Sequence, residues 1–201
     1  MARFEIHRFQ TNGVPIDILM AVDEITAVRR VNDIGELAFV IPYDGKLIES
    51  FHKMKQLQLW RNGALQFSTR YFLMNWVAFH NSSGERLLKA YAVDANWLLS
   101  SRIVAYPAAS SQAKKTGKAD NLMKAIVREN MGALAPAERQ IAALLVLADS
   151  GEGPTVSKGF SWRNVLTVLQ ELSEQSQTTA TPVYFDIQSE SMNDLRFVTA
   201  L

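Results

Sequence analysis

QLQLWRNGALQFSTRYFLMNWVAF (56–79) holds the reading that decides the fold. Its first five residues alternate polar and apolar, the period of a half-buried strand. Asn62-Gly63 follows, the strongest hairpin signal in the chain, because both residues tolerate the positive φ of a tight turn. The return strand is long. Its odd positions run Leu65, Phe67, Thr69, Tyr71, Leu73, Asn75, Val77 and Phe79, while Phe72, Met74 and Trp76 occupy the even ones. The second half of this strand is therefore apolar on both faces. Such a strand is either sandwiched between layers of its own domain or covered by another chain. Phe72, Met74 and Trp76 are accordingly the candidate oligomer-interface residues.

On either side the alternation continues. Phe4 and Ile6 share one face. After the turn TNG (11–13), so do Val14, Ile16, Ile18 and Met20. GELAFVIP (35–42) presents Leu37, Phe39 and Ile41, and RLLKAYAV (86–93) follows the turn NSSG (81–84). Six or seven antiparallel strands joined by short turns make an antiparallel β-barrel or sandwich over residues 1–93. The period changes at Asp94, which is placed to cap a short helix in ANWLLSSR (95–102). IVAYPAASSQAKKTG (103–117) reads as a long loop whose basic cluster is solvated. DNLMKAIVRENMG (120–132) reads as a helix with Asp120 as N-cap and Gly132 at C′. The run 141–148 fits helix or buried strand. SWRNVLTVLQELSEQ (161–175) is a helix with Ser161 as N-cap and a stripe of Trp162, Val165, Leu166, Leu169 and Leu172. VYFDIQ (183–188) and LRFVTAL (195–201) close the chain as a hairpin. A final strand of that kind leaves an open sheet edge, covered by a partner or continued in a longer parent chain. The expected fold class is β-rich α+β: an antiparallel barrel-like domain over 1–93, then a mixed, incomplete barrel-like domain over 94–201 that can exchange strands with the first.

The chain has 201 residues, with 21 Lys+Arg, 20 Asp+Glu, three His and no Cys. A net charge of +1 argues against a free-standing nucleic-acid binder. Lack of Cys removes disulfide scaffolds, CxxC redox sites and thiolate metal sites. MARFEIHRFQ (1–10) is charged and alternating, unlike a signal peptide. The longest apolar run, IAALLVLA (141–148), is far short of a bilayer-spanning helix, so no membrane partner is expected. Charge is unevenly spread: residues 102–128 carry six basic side chains and one acidic, and 149–201 carry three basic and seven acidic.

The search for chemistry comes back empty. His7, His52 and His80 are far apart, with no HExxH. KKTGKAD (114–120) lacks the upstream Gly of a phosphate loop and has Ala119 where Ser or Thr would hold magnesium. GEGPTV (151–156) lacks GxGxxG spacing, and there is no GxSxG elbow. Asp186, Glu190 and Asp194 are carboxylates of the type that hydrolyse glycosides, but they straddle a turn. Asp149 and Glu152 lack the ligand series of a calcium loop. No catalytic residue, metal site or cofactor is assigned, and the chain is not expected to be an enzyme.

Five phrases, taken together in order, resemble one family: VNDIGELAFVIP (31–42), LQLWRNGALQFSTRYF (57–72), AYAVDANWLLSSRIVAYP (90–107), KADNLMKAIVRENMG (118–132) and LADSGEGPTVSKGFSWRNVLTVLQELSEQS (147–176). They are similar to the tail hub proteins of long-tailed bacteriophages, the siphophage tail-tip proteins related to contractile-tail baseplate hubs. The resemblance implies a structural homo-oligomer, typically a trimeric ring of subunits with two barrel-like domains each, between which the chain crosses more than once. The ring would join the tail tube to distal spike or fibre proteins and pass DNA without tight binding. It would belong to the virion tail and assemble in the host cytoplasm, a reducing compartment that suits a chain without Cys. The resemblance also favours an extended 141–148. Family members are usually longer, which leaves the second barrel either compact or completed by a neighbour. Under this reading Lys114, Lys115 and Lys118 face outward or toward another protein, because a lumen lined with lysines would hold DNA tightly. Two other readings stay open. One is a cell-wall hydrolase module of a tail tip, using Asp186, Glu190 or Asp194. The other is a carbohydrate- or ligand-binding barrel, with an aromatic pocket around Trp60 or Tyr71.

Overall fold

The computed structural model describes residues 3–105, 112–189 and 194–201. The fold is β-rich α+β, as the alternation predicts. The chain divides into two compact units: residues up to 30, 34–95 and Ser189 form the first, and residues 31–33, 96–188 and 194–201 the second.

The first unit is built on an eight-stranded antiparallel sheet: β1 (Phe4–Phe9), β2 (Pro15–Leu19), β3 (Glu24–Val28), β4 (Glu36–Pro42), β5 (Gln56–Arg61), β6 (Ala64–Leu65), β7 (Tyr71–His80) and β8 (Arg86–Asp94). A short helix α1 (Gly45–Glu49) follows β4, its first turn capped by the Asp44 side chain. The strand order is β2-β1-β5-β7-β8-β4-β3, with β6 paired to β5 beyond Asn62-Gly63, both residues at positive φ as expected of the hairpin. Inward-facing residues, among them Ile6, Leu37, Phe39, Leu57, Leu59, Tyr71, Leu73, Leu88 and Ala90, make one apolar core. The sheet is not a closed barrel: β2 and β3 are its two ends, and each has a strand partner on one side only among the described residues.

Two polar groups inside this unit are neutralised locally. Arg8, buried, forms an ion pair with Asp17 and lies over the Phe51 ring at 5.0 Å. Asp94 is buried too and takes Arg29 at 2.9 Å, so it ends β8 and does not cap a helix. The following helix α2 (Trp97–Ser100) has Asn96 at its N-cap and no side-chain cap bond. Gly35 packs against the Arg29–Asp94 pair so closely that a Cβ would stand 2.5 Å from Asp94 Oδ2 and 2.6 Å from the Val28 carbonyl oxygen.

The second unit pairs β9 (Ala113–Lys118) antiparallel with β11 (Thr155–Phe160), so the basic segment read as a loop is a strand. A separate three-stranded sheet runs β10 (Leu144–Val146), β13 (Leu195–Ala200), β12 (Tyr184–Gln188). β10 is parallel to β13 and β12 antiparallel to it, so the expected C-terminal hairpin forms. Its final strand is not an open edge, because β13 is the middle strand. The run 141–148 is extended around β10, not helical.

Two longer helices complete the unit. α3 (Ala119–Asn130) begins one residue before Asp120, with Lys118 at the N-cap, so Asp120 sits inside the first turn and is not its cap. Gly132 follows the C-cap Met131, donates to the Val127 carbonyl at 3.0 Å, and could not take a Cβ without meeting Arg128 Cα at 2.9 Å. α4 (Val165–Gln177) starts later than predicted: Asn164 is the N-cap, with its side-chain oxygen accepting from the Thr167 N–H. Val165, Leu166, Leu169 and Leu172 do form a buried stripe. Trp162 does not join it, being 71% exposed at a positive φ of 52° before the helix begins.

Candidate assembly surface

The double-sided apolarity of β7 has a local cause. Its pairing with β8 shifts between Leu73, opposite Ala92, and Asn75, opposite Tyr91, which leaves Met74 as an extra residue. A bulge of this kind turns the side-chain alternation over. Before it, Tyr71 and Leu73 face the core; after it Trp76, opposite Ala90, packs on the same core, its ring edge-on to Phe51 at 5.8 Å. Phe72, on the other face, is only 5% exposed, and Met74 and Trp76 are half-buried. Val77 is the large apolar residue of this strand that stands exposed.

The larger exposed apolar surface lies elsewhere. Val14, Ile16, Ile18 and Met20, a face the alternation would send to the core, are all exposed along the edge strand β2. The inward position of β2 is taken by Leu19, opposite Ile6, and the register shift at Arg8/Phe9 leaves Ile16 unpaired. Beside this stripe Trp60 stacks on His7, with ring centroids 4.8 Å apart and planes 14° apart, and His7 Nε2 is 3.1 Å from Glu5 Oε2. The two rings, with Phe9, Ile16, Ile18 and Gln58, line a groove of about 360 Å³. Of the two aromatic residues named for a ligand pocket, Trp60 is in this groove and Tyr71 is fully buried.

The other sequence candidates are spent on structure. Asp186 accepts a hydrogen bond from Asn96 Nδ2 at 3.1 Å, and Asp194 pairs with Arg196 at 2.9 Å; Glu190 lies outside the described residues. Asp149 pairs with Arg128, and His52 and His80 are exposed. Among the described residues no group of three or more His, Asp or Glu gathers as metal ligands. No described helix is long and apolar enough to cross a membrane. Lys115 pairs with Glu129 at 2.6 Å, Lys118 donates to the Gly153 carbonyl at 3.0 Å, and Lys114 is exposed on the outer face of β9.

Sequence reasoning missed the buried ionic network around Asp120. Asp120 has a fully buried side chain at the start of α3. It takes Lys124 Nζ at 2.7 Å, the Thr199 hydroxyl of β13, the Ser150 N–H at 2.8 Å and hydroxyl at 2.9 Å, and the Gly151 N–H at 3.2 Å. Burial by itself would raise its pKa. The hydrogen bonds from Lys124, Thr199 and Ser150 outweigh that and hold it at about 2. Lys124 also donates to the Ala148 carbonyl at 2.7 Å. The i, i+4 spacing of Asp120 and Lys124 was the one signal for it in the sequence. Glu171 is likewise held below its ordinary range: burial opposes this, and hydrogen bonds from Lys158 and Arg163 prevail.

Among the described residues, three sheets carry buried charges that are pinned internally, and apolar surface lies along an open edge of the first. The chain's fold is similar to that of the tail protein from Neisseria meningitidis MC58, with a TM-score of 0.58 and 9% identity, over 98% of this chain and 50% of that one. The chain belongs to the family of siphovirus ReqiPepy6 Gp37-like proteins, whose pattern it matches over residues 16–193. An E. coli component of the type VI secretion system, described as structurally similar to T4 bacteriophage tail proteins gp27 and gp5, aligns over 98% of this chain and 45% of its own length at 9% identity. Its TM-score of 0.47 is too low to carry weight. The chain thus spans about half the length of each of these two structures. No protein of curated function matches it in sequence.

Proposed function

We propose that this chain is a non-catalytic structural subunit of the phage tail tip, a hub that assembles as a ring, typically a trimer, between the tail tube and the distal spike or fibre proteins. The observation that carries the reading is the family match over residues 16–193. The apolar edge of β2 supports it, since exposed apolar stripes of this kind mark protein–protein contact. The subunit is part of the virion tail, put together in the host cytoplasm. Met74, half-buried at the β7 bulge, offers a further contact, whereas Phe72 and Trp76 contribute through the interior. DNA passes the ring without tight binding, which fits Lys115 and Lys118 being engaged within their own unit.

The test is mass photometry and electron microscopy of the purified protein, with immunogold labelling of intact virions. Closed rings and label at the distal end of the tail are expected. A monomer at every concentration, or label confined to the capsid, would overturn the reading. The Trp60–His7 shelf favours a second reading, a carbohydrate-binding module. Tryptophan fluorescence titration with host cell-wall saccharides should show no saturable change; saturation abolished by Trp60→Ala would favour it over the hub.

A further inference from the structure

Phe67 and Ser68, between β6 and β7, both hold left-handed φ values, 64° and 42°. For residues with a Cβ that conformation is costly and persists only where the surroundings enforce it. Both flanks are tied down here: the Gln66 N–H donates to the Leu59 carbonyl and the Ser189 N–H to the Ser68 carbonyl, each at 2.8 Å. The strain does not serve to bury the phenyl ring, which is 46% exposed. It stands the ring as one wall of a cavity of about 210 Å³, whose other apolar walls are Phe4, Leu59, Ile25 and Ala27. Gln66 and the exposed Arg61 complete the lining. The Arg61 guanidinium lies 5.5 Å from the Phe4 ring, and among the described residues no carboxylate pairs with it.

These walls come from β1, β3, β5 and the segment after β6. Among the described residues β4 contributes none, so the cavity lies to the side of β3 that lacks a strand partner. Ile25 and Ala27 face it, while Glu24, Thr26 and Val28 are exposed on the other face of the strand. An extended segment laid along that edge sends every second side chain to the cavity's face of the sheet. The volume selects among occupants. It is below the roughly 300–1,000 Å³ of a cofactor or drug-sized site and suits one large apolar side chain. Arg61 calls for a carboxylate on the same face, which in an extended chain is two residues from that side chain.

We propose that the cavity beside β3 docks an extended segment of a partner protein. The segment pairs with the β3 edge, inserts one aromatic or aliphatic side chain against Phe67, and sets a carboxylate two residues along on Arg61. Main-chain bonding along the edge supplies affinity, and the pocket and the charge supply specificity. The probe is a fluorescein-labelled pentapeptide with phenylalanine at its centre, threonine on either side and aspartate at both ends, so that it fits either strand direction. The same peptide with lysine at both ends is the control. Fluorescence anisotropy with the full chain should show saturable binding of the aspartate peptide and none of the lysine peptide. Arg61→Glu, a change at an exposed position, should weaken the aspartate peptide about tenfold and make the lysine peptide the better ligand. Phe67→Gly removes the wall and should weaken binding about tenfold as well. Glycine also relieves the positive φ, so the thermal midpoint of this variant should not fall. Absence of saturation by the aspartate peptide, an unchanged preference in Arg61→Glu, or full binding by Phe67→Gly overturns the proposal. Dodecanoate bound in the cavity where the peptide fails to bind would make it an amphiphile site and overturn the proposal too.

Discussion

The two units treat the edges of their sheets in opposite ways. In the second, the outer edge of β12 is closed by side chains: Asn32 Oδ1 accepts the Phe185 N–H and Asn96 Oδ1 the Ile187 N–H, each at 2.8 Å. The Asn96 amide nitrogen is held in turn by the Asp33 carbonyl at 3.0 Å, and Asn32 Nδ2 donates to Ser173 Oγ at 2.7 Å. Two asparagines thus stand in for a neighbouring strand. Among the described residues β2 and β3 of the first unit receive nothing of the kind, and β2 adds an exposed apolar stripe. A sheet edge left open and apolar is a liability in a monomer and a tool in an assembly. The contrast teaches that the chain has the means to seal an edge and applies it to β12 but, among the described residues, not to β2 or β3.

The strongest way to strain this comparison is to break the interior of the sealed unit. Lys124→Met strands the buried Asp120 carboxylate, and urea denaturation should show a loss of about 3 kcal/mol. Asn96→Ala comes next. It leaves the buried Ile187 N–H without its acceptor, a loss of roughly 2 kcal/mol by the same measurement, with faster amide exchange along β12. Acid should act on the same unit. Asp120 has a folded pKa of about 2, below its unfolded value of 3.8, so its contribution is complete above about pH 4 and fades as pH falls toward 2. Up to about 2 kcal/mol is lost over that window, and Asp120→Asn should flatten the dependence. The smallest effect on stability belongs to the open edge. Ile18→Lys should change folding by less than about 0.5 kcal/mol, as for other exposed positions, while shifting the monomer–oligomer balance in analytical ultracentrifugation. An equal loss of folding stability from Ile18→Lys and Asn96→Ala would erase the distinction between the two edges.

Much of this architecture can be read from residue order alone, because strand alternation and tight turns are local properties. Asn62-Gly63, the α3 helix, the α4 stripe and the C-terminal hairpin fall where side-chain period and turn chemistry put them, whereas the long return strand expected after the turn is broken into β6 and β7, with Phe67 and Ser68 at positive φ between them. What escapes is whatever depends on a distant partner. The β9–β11 pairing joins segments about forty residues apart, so AKKTGK (113–118) has no strand signal of its own. The Met74 bulge looks in sequence like a strand with two apolar faces, because an inverted alternation and a doubled one read alike. The same alternation that correctly buries Leu37, Phe39 and Ile41 fails at Val14, Ile16, Ile18 and Met20. Period tells which residues share a face, and nothing in it tells whether that face is covered by this chain. Asp94 and Ser161, placed by the sequence to cap helices, do not cap them for a related reason. Arg29 claims the first from 65 residues away, and Asn164 is better placed than the second.

The position of β13 between β10 and β12 bears on the order in which the molecule is built. The middle strand of that sheet comes after both its neighbours in the chain, so during synthesis β10 and β12 emerge from the ribosome with nothing to join. All eight strands of the first sheet have emerged by Asp94. At synthesis rates of about 5–20 residues per second, the first sheet has several seconds in which to form before the second can close. Through that interval its β2 and β3 edges are already on display, and neighbouring nascent chains on one message would be the first copies they meet.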